Sequence, residues 1–457
     1  MYSGVQHPHV ATLTELARRL GVFDATMLVM GGIIGAGIFI SPYVVARHVT
    51  TTSLILAAWA AGGAIALAGA FVYAELASLR PEAGGVYAYL RDAFHPIVAF
   101  LFGWTLLLVV QAGGMAAVAV TFGLYVRDLT GIALSPTTLA VGALIALTVI
   151  NCFGVRTGAN VQNTFMVLKI LAIGALVTIG WLAVGTAPVP QAVPRAAGFG
   201  AAMVPVLFAY GGWQTASFVS EEMRDTQRDL PRAMLWGIVG VVVLYLAANL
   251  VYALVLTPAG LAATTTPASE VMRRALGERG AQFIALGIAI STIGYLSQGM
   301  LTAPRVYYAM ARDGVFFSRV GWLHPRTRAP VYAIALQGVW AVAIALSGRY
   351  EQILNYVVAI DAIFFGLTGV ALIVFRRREP GHAAIARFRT PGHPWTTILF
   401  VAAFWLVALN TVLEFPTSAG IGVLVLLAGV PVYFSWSRRR VRPAARSAAA
   451  PPSSPSA

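Results

Sequence analysis

Read for its polar and apolar positions, the chain is a succession of long apolar runs separated by short polar connections. Runs long enough to cross a bilayer, roughly 17 to 30 residues each, fall at 23–46, 53–79, 96–126, 138–154, 159–185, 200–221, 232–257, 280–312, 331–348, 351–375, 396–414 and 418–437. The pattern predicts twelve transmembrane helices and an all-α integral membrane fold. Two of the runs are interrupted. The first breaks at Gly31-Gly32-Ile33-Ile34-Gly35-Ala36-Gly37, and the sixth at Phe208-Ala209-Tyr210-Gly211-Gly212-Trp213. Glycine costs a helix roughly 1 kcal/mol relative to alanine. Irregular backbone at that depth is tolerated only where it is buried in protein or lines a cavity. Glycines also let membrane helices pack closely, but a pair of broken spans five helices apart, running in opposite directions, points to an inverted five-plus-five repeat with a site between its halves.

This pattern divides the chain into a cytoplasmic arm (1–22), a transporter domain (23–437) and a basic Ala-Pro-Ser tail (438–457) expected to be disordered. Within the domain, a first repeat spans about 23–185, a second about 200–376, and two extra helices about 396–437. The outer connection 264–280 carries a polar helical pattern from Pro267 and reads as a surface helix.

Composition then narrows the class. Hydrophobic residues make up 58% and charged residues 11%, against roughly 25% charged in soluble domains, so a soluble enzyme or scaffold is excluded. The net charge of +14 raises the question of nucleic acid, and the placement of the charge answers it. With the N-terminus inside, the inner loops carry most arginines, among them Arg80, Arg91, Arg156, Arg224, Arg228, Arg312, Arg376, Arg377 and Arg378. The outer loops carry Arg47, Arg127, Arg195, Arg273, Arg274, Arg279 and Arg349. This is the positive-inside bias. It places both termini in the cytoplasm and the protein in the plasma membrane, with lipid and no nucleic acid as its surroundings.

The single lysine, Lys169, lies in the middle of the fifth run. A charge at that depth costs at least roughly 2.5–3.5 kcal/mol and normally faces the bundle interior. Snorkelling to a headgroup is a poor fit, because the nearer helix end is roughly 15 Å away. An ammonium is compact and suits a cation site. Asp361, in the tenth run, is the other deep charge, open to three roles: proton carrier, partner of a cation, or hydrogen-bonded neutral acid. Tyr210 stands with it as a candidate for gating.

A broken helix frees N–H groups at one end and C=O groups at the other. These suit a carboxylate and an ammonium respectively, the two poles of an α-amino acid. The expected substrate residues are Ile33, Gly35, Ala36, Gly37, Phe208, Gly211, Gly212 and Trp213. Ala36 and Gly37 would offer N–H groups, and Ile33, Phe208 and Gly211 carbonyls. Neither break contains an acid, which favours neutral amino acids.

At these residues the chain resembles the amino acid–polyamine–organocation transporters, and most of all their L-type branch with its bacterial relatives. The carriers of the resemblance are GGIIGAGIFISP, FAYGGWQTASFVSEEMRDTQRDLPRA, YAELASLRPEAGGVYAYLRDAF, VQNTFMVLKILA and TAPRVYYAMARDG. It implies a LeuT-like fold, alternating access, and a lysine at Lys169 that takes the place of a transport sodium ion. Its implied contacts are carbonyls near Gly31 and Gly32 and the Ser291-Thr292 stretch. The loop serine of many relatives is Ala36 here. Animal L-type transporters are disulfide-linked to a partner through an outer-loop cysteine. The one cysteine here, Cys152, sits near the inner end of the fourth run, so no such accessory subunit is expected.

The resulting expectation is sodium-independent transport of neutral L-amino acids, by exchange, with no cofactor and no metal. Proton-coupled symport and amine or polyamine exchange are the alternatives. A channel lacks repeated filter residues, and an enzyme lacks a nucleophile–base pair or metal cluster. A non-transporting sensor has only a short tail with which to signal.

Overall fold

The computed structural model of the chain describes residues 16–185, 198–348, 350–379, 381, 386–414 and 416–447. Helices follow the predicted runs in order. The first span is broken into Val22–Ile33 and Gly37–His48, bent by 43° across Ile34–Ala36. It is followed by Thr52–Leu79, by a third span built from Pro96–Thr105, a π segment Leu106–Val110 and Gln111–Thr130, and by Pro136–Cys152 and Val155–Trp181. The sixth span is Phe199–Ala209 followed by Trp213–Glu222. Thr226–Ala263, Glu278–Thr302 continued by Pro304–Arg312, Val331–Ser347, Tyr350–Arg378, Trp395–Glu414 and Pro416–Ser447 complete the bundle.

Helix starts are set by local chemistry. Ser135 accepts from the Thr138 N–H at 3.1 Å ahead of the fourth span, and Asp24 accepts from Gly21 N–H at 3.1 Å ahead of the first. Both satisfy donors that a helix start leaves without intrahelical partners. The surface helix predicted in the outer connection is Pro267–Leu276; it buries Ala268, Val271 and Met272 and packs on Gly37–His48 and on the fifth, seventh and eighth spans.

Two details differ from the sequence reading. The second half of the sixth span is a 3₁₀ helix. Thr215 Oγ1 donates to Gly212 O at 2.6 Å and Ser217 Oγ to Gln214 O at 2.7 Å; side-chain bonds of this kind compete with the α-helical ladder. The last helix runs on to Ser447, past the boundary at 438 expected for a disordered tail. Its Arg- and Ala-rich sequence has the propensity for this, and 448–457 lie outside the described residues.

The repeat shows in how the broken spans cross. Val22–Ile33 packs on Trp213–Glu222, and Gly37–His48 on Phe199–Ala209, so each half of one span meets the opposite half of the other. The crossing is tight. A Cβ on Gly32 would sit 2.4 Å from Gly212 O, and one on Gly37 would sit 3.1 Å from Ala209 Cα. Small residues here let two backbones touch.

The arginine-rich end is laced together. Arg376 holds Glu75 through two bonds of 2.8 Å, and Thr390 N–H donates to the same carboxylate at 2.7 Å. Arg80 joins Asp92 to Glu379, and Arg91 joins Asp92, Glu82 and Asp313. Arg305 and Glu222, both buried, pair at 2.5 Å between the eighth span and the end of the sixth. Removing one partner of such a pair leaves an uncompensated charge, at a cost of about 3–5 kcal/mol. These ties join several spans at that end of the molecule.

Candidate substrate site

A cavity of about 180 Å³ lies at the crossing of the two breaks. A cavity of about 150 Å³ can hold a benzene ring, so this one takes a small to medium amino acid. Gly32, Ile33, Gly35, Ala36, Gly37, Phe208, Gly211 and Gly212 all line it.

At the donor end of the first break, bonded and open N–H groups stand side by side. Ile34 and Gly35 N–H groups are bonded to Met30 O and Ile33 O, whereas those of Ala36 and Gly37 find no acceptor among the described residues. Backbone N–H groups at the start of a half-helix, with its partial positive charge, form an anion site.

The acceptor end needs correcting. Ile33 O already accepts from Gly35 N–H at 2.9 Å and Tyr245 Oη at 3.1 Å, which fills both lone pairs. Phe208 O accepts from Gly211 N–H at 3.0 Å. Of the three expected carbonyls, that of Gly211 is without a donor among the described residues. Trp213, expected as a substrate residue, does not line the cavity, and neither does Tyr210, the expected gating candidate. Trp213 is buried behind it, edge-on to Tyr73 with ring centroids 4.7 Å apart, and also packs on Phe365 and Phe400. Tyr210 packs between Trp59 and Tyr245. These two rings bury their area in the scaffold, leaving Phe208 and the glycines to face the cavity.

Lys169 is buried and donates to Ile34 O at 2.6 Å. Its stem lies against the eighth span at Gly294, where a Cβ would come 2.6 Å from Lys169 Cε. The lysine therefore bridges the first break and the eighth span, standing behind the cavity wall. The individual contacts differ from those implied by resemblance. The carbonyl is that of Ile34, one turn of chain beyond Gly31 and Gly32. Gly31 faces Gln162 and Gln298, and Gly32 faces Gly212. Ser291 Oγ donates to Gly35 O at 3.2 Å, tying the break beside the lysine, while Thr292 Oγ1 turns back to Ala289 O in its own helix.

Other wall residues were not singled out in the sequence. Gln298 Nε2 donates to Thr215 Oγ1 at 2.5 Å, and Thr215 passes the link to Gly212 O. Tyr295 lays its ring 3.4 Å from the point where a Gly35 Cβ would be. Ser291, Tyr295 and Gln298 are spaced four and three apart, so they share one helix face, a polar stripe that the sequence does display. Gln111 follows the π segment directly, and Leu106 and Val110 within that segment also line the cavity. Such π-bulges are frequent at functional sites. Asp361 lines the cavity too, from the tenth span, with Phe365, Phe404 and Val407 near it on the wall.

The amino acid permease family profile matches residues 20–434. The human "Large neutral amino acids transporter small subunit 2" is 31% identical over 434 residues, covering 92% of this chain and 80% of that protein. The "Serine/threonine exchanger SteT" of Bacillus subtilis is 30% identical over 437 residues, covering 93% and 98%. The human "Asc-type amino acid transporter 1" is 29% identical over 448 residues, covering 93% and 84%. With two broken helices crossing at a cavity and similarity running nearly end to end, the chain belongs to the amino acid permease family, a membrane transporter of the APC superfamily and its L-type branch.

Proposed function

We propose that the protein exchanges neutral L-amino acids across the plasma membrane by alternating access, independently of sodium. The observation that carries this reading is the bond from Lys169 Nζ to Ile34 O at 2.6 Å. A bound alkali cation holding the first break would coordinate backbone carbonyls there. A covalently attached ammonium engages one of them permanently, so no ion has to bind and dissociate for the break to hold its shape.

The substrate carboxylate would lie on the Ala36 and Gly37 N–H groups, and its ammonium against the Gly211 carbonyl, with the crossing glycines letting both backbones approach. The Arg376–Glu75 and Arg305–Glu222 pairs join spans at the arginine-rich end, and alternating access would require such ties to part when that end opens. The Cys152 thiol sits at the end of the fourth span away from the surface helix, so the chain would work without a disulfide-linked subunit.

The test is uptake of radiolabelled amino acids into proteoliposomes, with empty or amino-acid-loaded lumens, with and without sodium and with an inward proton gradient. Exchange predicts uptake that needs internal amino acid and ignores both ions. Uptake into empty vesicles driven by the proton gradient would replace exchange with proton symport. Dependence on sodium would sink the role given to Lys169.

A further inference from the structure

The arginines of the arginine-rich end fall into two groups. Arg80, Arg91, Arg305 and Arg376 hold acids inside the fold. Arg224, Arg228, Arg232 and Arg389 are exposed, and none of them has a carboxylate partner among the described residues. Topology accounts for arginines at that end, but not for unpaired ones collecting in one corner.

Arg228 and Arg232 stand four apart on the first turns of the seventh span, so they share a helix face. That face continues with Trp236, Val239 and Val243, all exposed, Trp236 by 67%. On a span of this hydropathy an exposed apolar face meets lipid. Arg389 comes from the connection after the tenth span, which is fastened to the same corner. Arg387 pairs with Asp225 at 3.0 Å, Phe388 stacks on Phe71, and Thr390 N–H reaches Glu75. From the seventh span, Gln227 Nε2 donates to Ser78 O at 3.1 Å. Both elements therefore border the arginine-rich end of the second span. With Glu75 neutralised by Arg376, the corner holds Arg224, Arg228, Arg232, Arg387 and Arg389 against Asp225 and Asp229, an excess of positive charge.

We propose that this corner binds an anionic phospholipid of the adjoining leaflet. Its phosphate is shared by Arg228, Arg232 and Arg389, and an acyl chain lies along Trp236, Val239 and Val243. Guanidinium groups match phosphate oxygens in charge and in geometry. Charge also selects among lipids, because a zwitterionic headgroup brings a cation of its own into an already basic corner. A free phosphate has no chain to cover the apolar stripe below the arginines, so the occupant is a lipid. Bound there, it ties the connection to the seventh span beside the Asp225–Arg387 pair, and so stabilises that end. This site is separate from the substrate cavity and does not depend on the exchange reading.

The experiment melts the full chain in detergent, after delipidation, against dioleoyl-phosphatidylglycerol, dioleoyl-phosphatidylcholine and sn-glycerol 3-phosphate. Arg228→Gln/Arg232→Gln is compared with Arg319→Gln/Arg326→Gln, which removes two exposed arginines from the connection between the eighth and ninth spans. A basic side chain at a membrane surface favours anionic lipid by about fivefold. The wild type should therefore be stabilised by the glycerol lipid at concentrations at least about tenfold below those needed of the choline lipid. The first double variant should bring the two lipids to within about twofold, and the second should keep the wild-type preference.

An unchanged preference in Arg228→Gln/Arg232→Gln would overturn the proposal. So would an equal loss in both double variants, which would make the effect one of net charge alone. Stabilisation by glycerol 3-phosphate at the concentrations at which the lipid acts would overturn the lipid assignment in favour of a plain anion site. Should the first double variant not fold, salt decides on the wild type. Going from 0.1 to 1 M shortens the screening length from about 10 Å to about 3 Å, so the preference should shrink to about threefold or less. A preference indifferent to salt would reject the arginine corner as its source.

Discussion

The two breaks are related by the repeat, yet they are held in different ways. In the first, the carbonyls of Ile34 and Gly35 are tied by side chains from other spans, Lys169 and Ser291, and two successive N–H groups are left for a ligand. In the sixth, most bonds are made within the segment itself, although Gln298 reaches Thr215, Tyr245 reaches Ala209 O, and Gly211 O is left open among the described residues. Gly211 N–H goes to Phe208 O, Gly212 N–H to Gln214 Oε1, and Thr215 Oγ1 to Gly212 O. A break whose bonds come from elsewhere changes when the neighbouring spans move. A break that satisfies itself keeps its shape through such movement. The first is thus built to respond and the sixth to serve as the surface it responds against.

The largest effect should come from disturbing the self-contained break. Gly212 has φ +105°, and a Cβ on it would meet Gly32 O at 2.0 Å. Gly212→Ala therefore combines backbone strain of about 1–3 kcal/mol with overpacking of about 1–3 kcal/mol. Neither Gly32 O nor its neighbours can yield, because they belong to a packed crossing. The variant should show a much lower melting temperature and poor yield, not a selective transport defect. Gly211→Ala is the control, with ordinary φ and a nearest approach of 3.2 Å to Phe208 O, and should melt close to wild type. Equal melts for both would remove the distinction between the breaks.

Next in size is Lys169→Met, which keeps most of the stem and deletes the ammonium. It loses a charge-assisted bond worth about 1.5–3 kcal/mol, so exchange should fall about tenfold to hundredfold. The melting temperature should move less than in Gly212→Ala, because the lost bond pins one carbonyl and relieves an expensive buried charge. Initial rates of exchange and melts on the same preparations would check this. A melt as low as that of Gly212→Ala, with no selective loss of exchange, would show that the first break is as structural as the sixth.

How much of this was readable without coordinates follows from the physics of each feature. The spans and their breaks were legible because hydrophobic length and mid-span glycine are local properties of the chain. Lys169 was legible because one ammonium among arginines is conspicuous at any depth. Nearness to the break in sequence puts Trp213 on the cavity, and the structure turns it away. Which face of a 3₁₀ segment an aromatic occupies depends on the helices behind it, here those carrying Tyr73, Phe365 and Phe400, and no local pattern encodes that. The same holds for Ile33 and Phe208, whose carbonyls look free in sequence and are taken in the fold. Tyr295 and Gln298 could have been found, since with Ser291 they make a polar face on an otherwise apolar helix. Asp361 was noticed as a deep charge, but its place on the same wall as the two breaks is a tertiary fact.

The smallest effect is expected at a side chain that bonds to both breaks. Tyr245, buried in the seventh span, directs its hydroxyl between Ile33 O at 3.1 Å and Ala209 O at 3.3 Å. A single O–H shared between two neutral acceptors is worth about 1 kcal/mol; Ile33 O keeps Gly35 N–H, and Ala209 O, the last carbonyl of its half-helix, is left with no other donor among the described residues. The ring of Tyr245 is edge-on to Trp59 with centroids 5.4 Å apart, and Tyr245→Phe preserves that packing. Exchange in Tyr245→Phe should therefore stay within about fivefold of wild type, with a slight drop in melting temperature. A loss of exchange matching that of Lys169→Met, at an unchanged melt, would mean that the breaks move as a linked pair through this hydroxyl. The sixth would then be a participant in the transport movement and not the fixed surface against which the first one works.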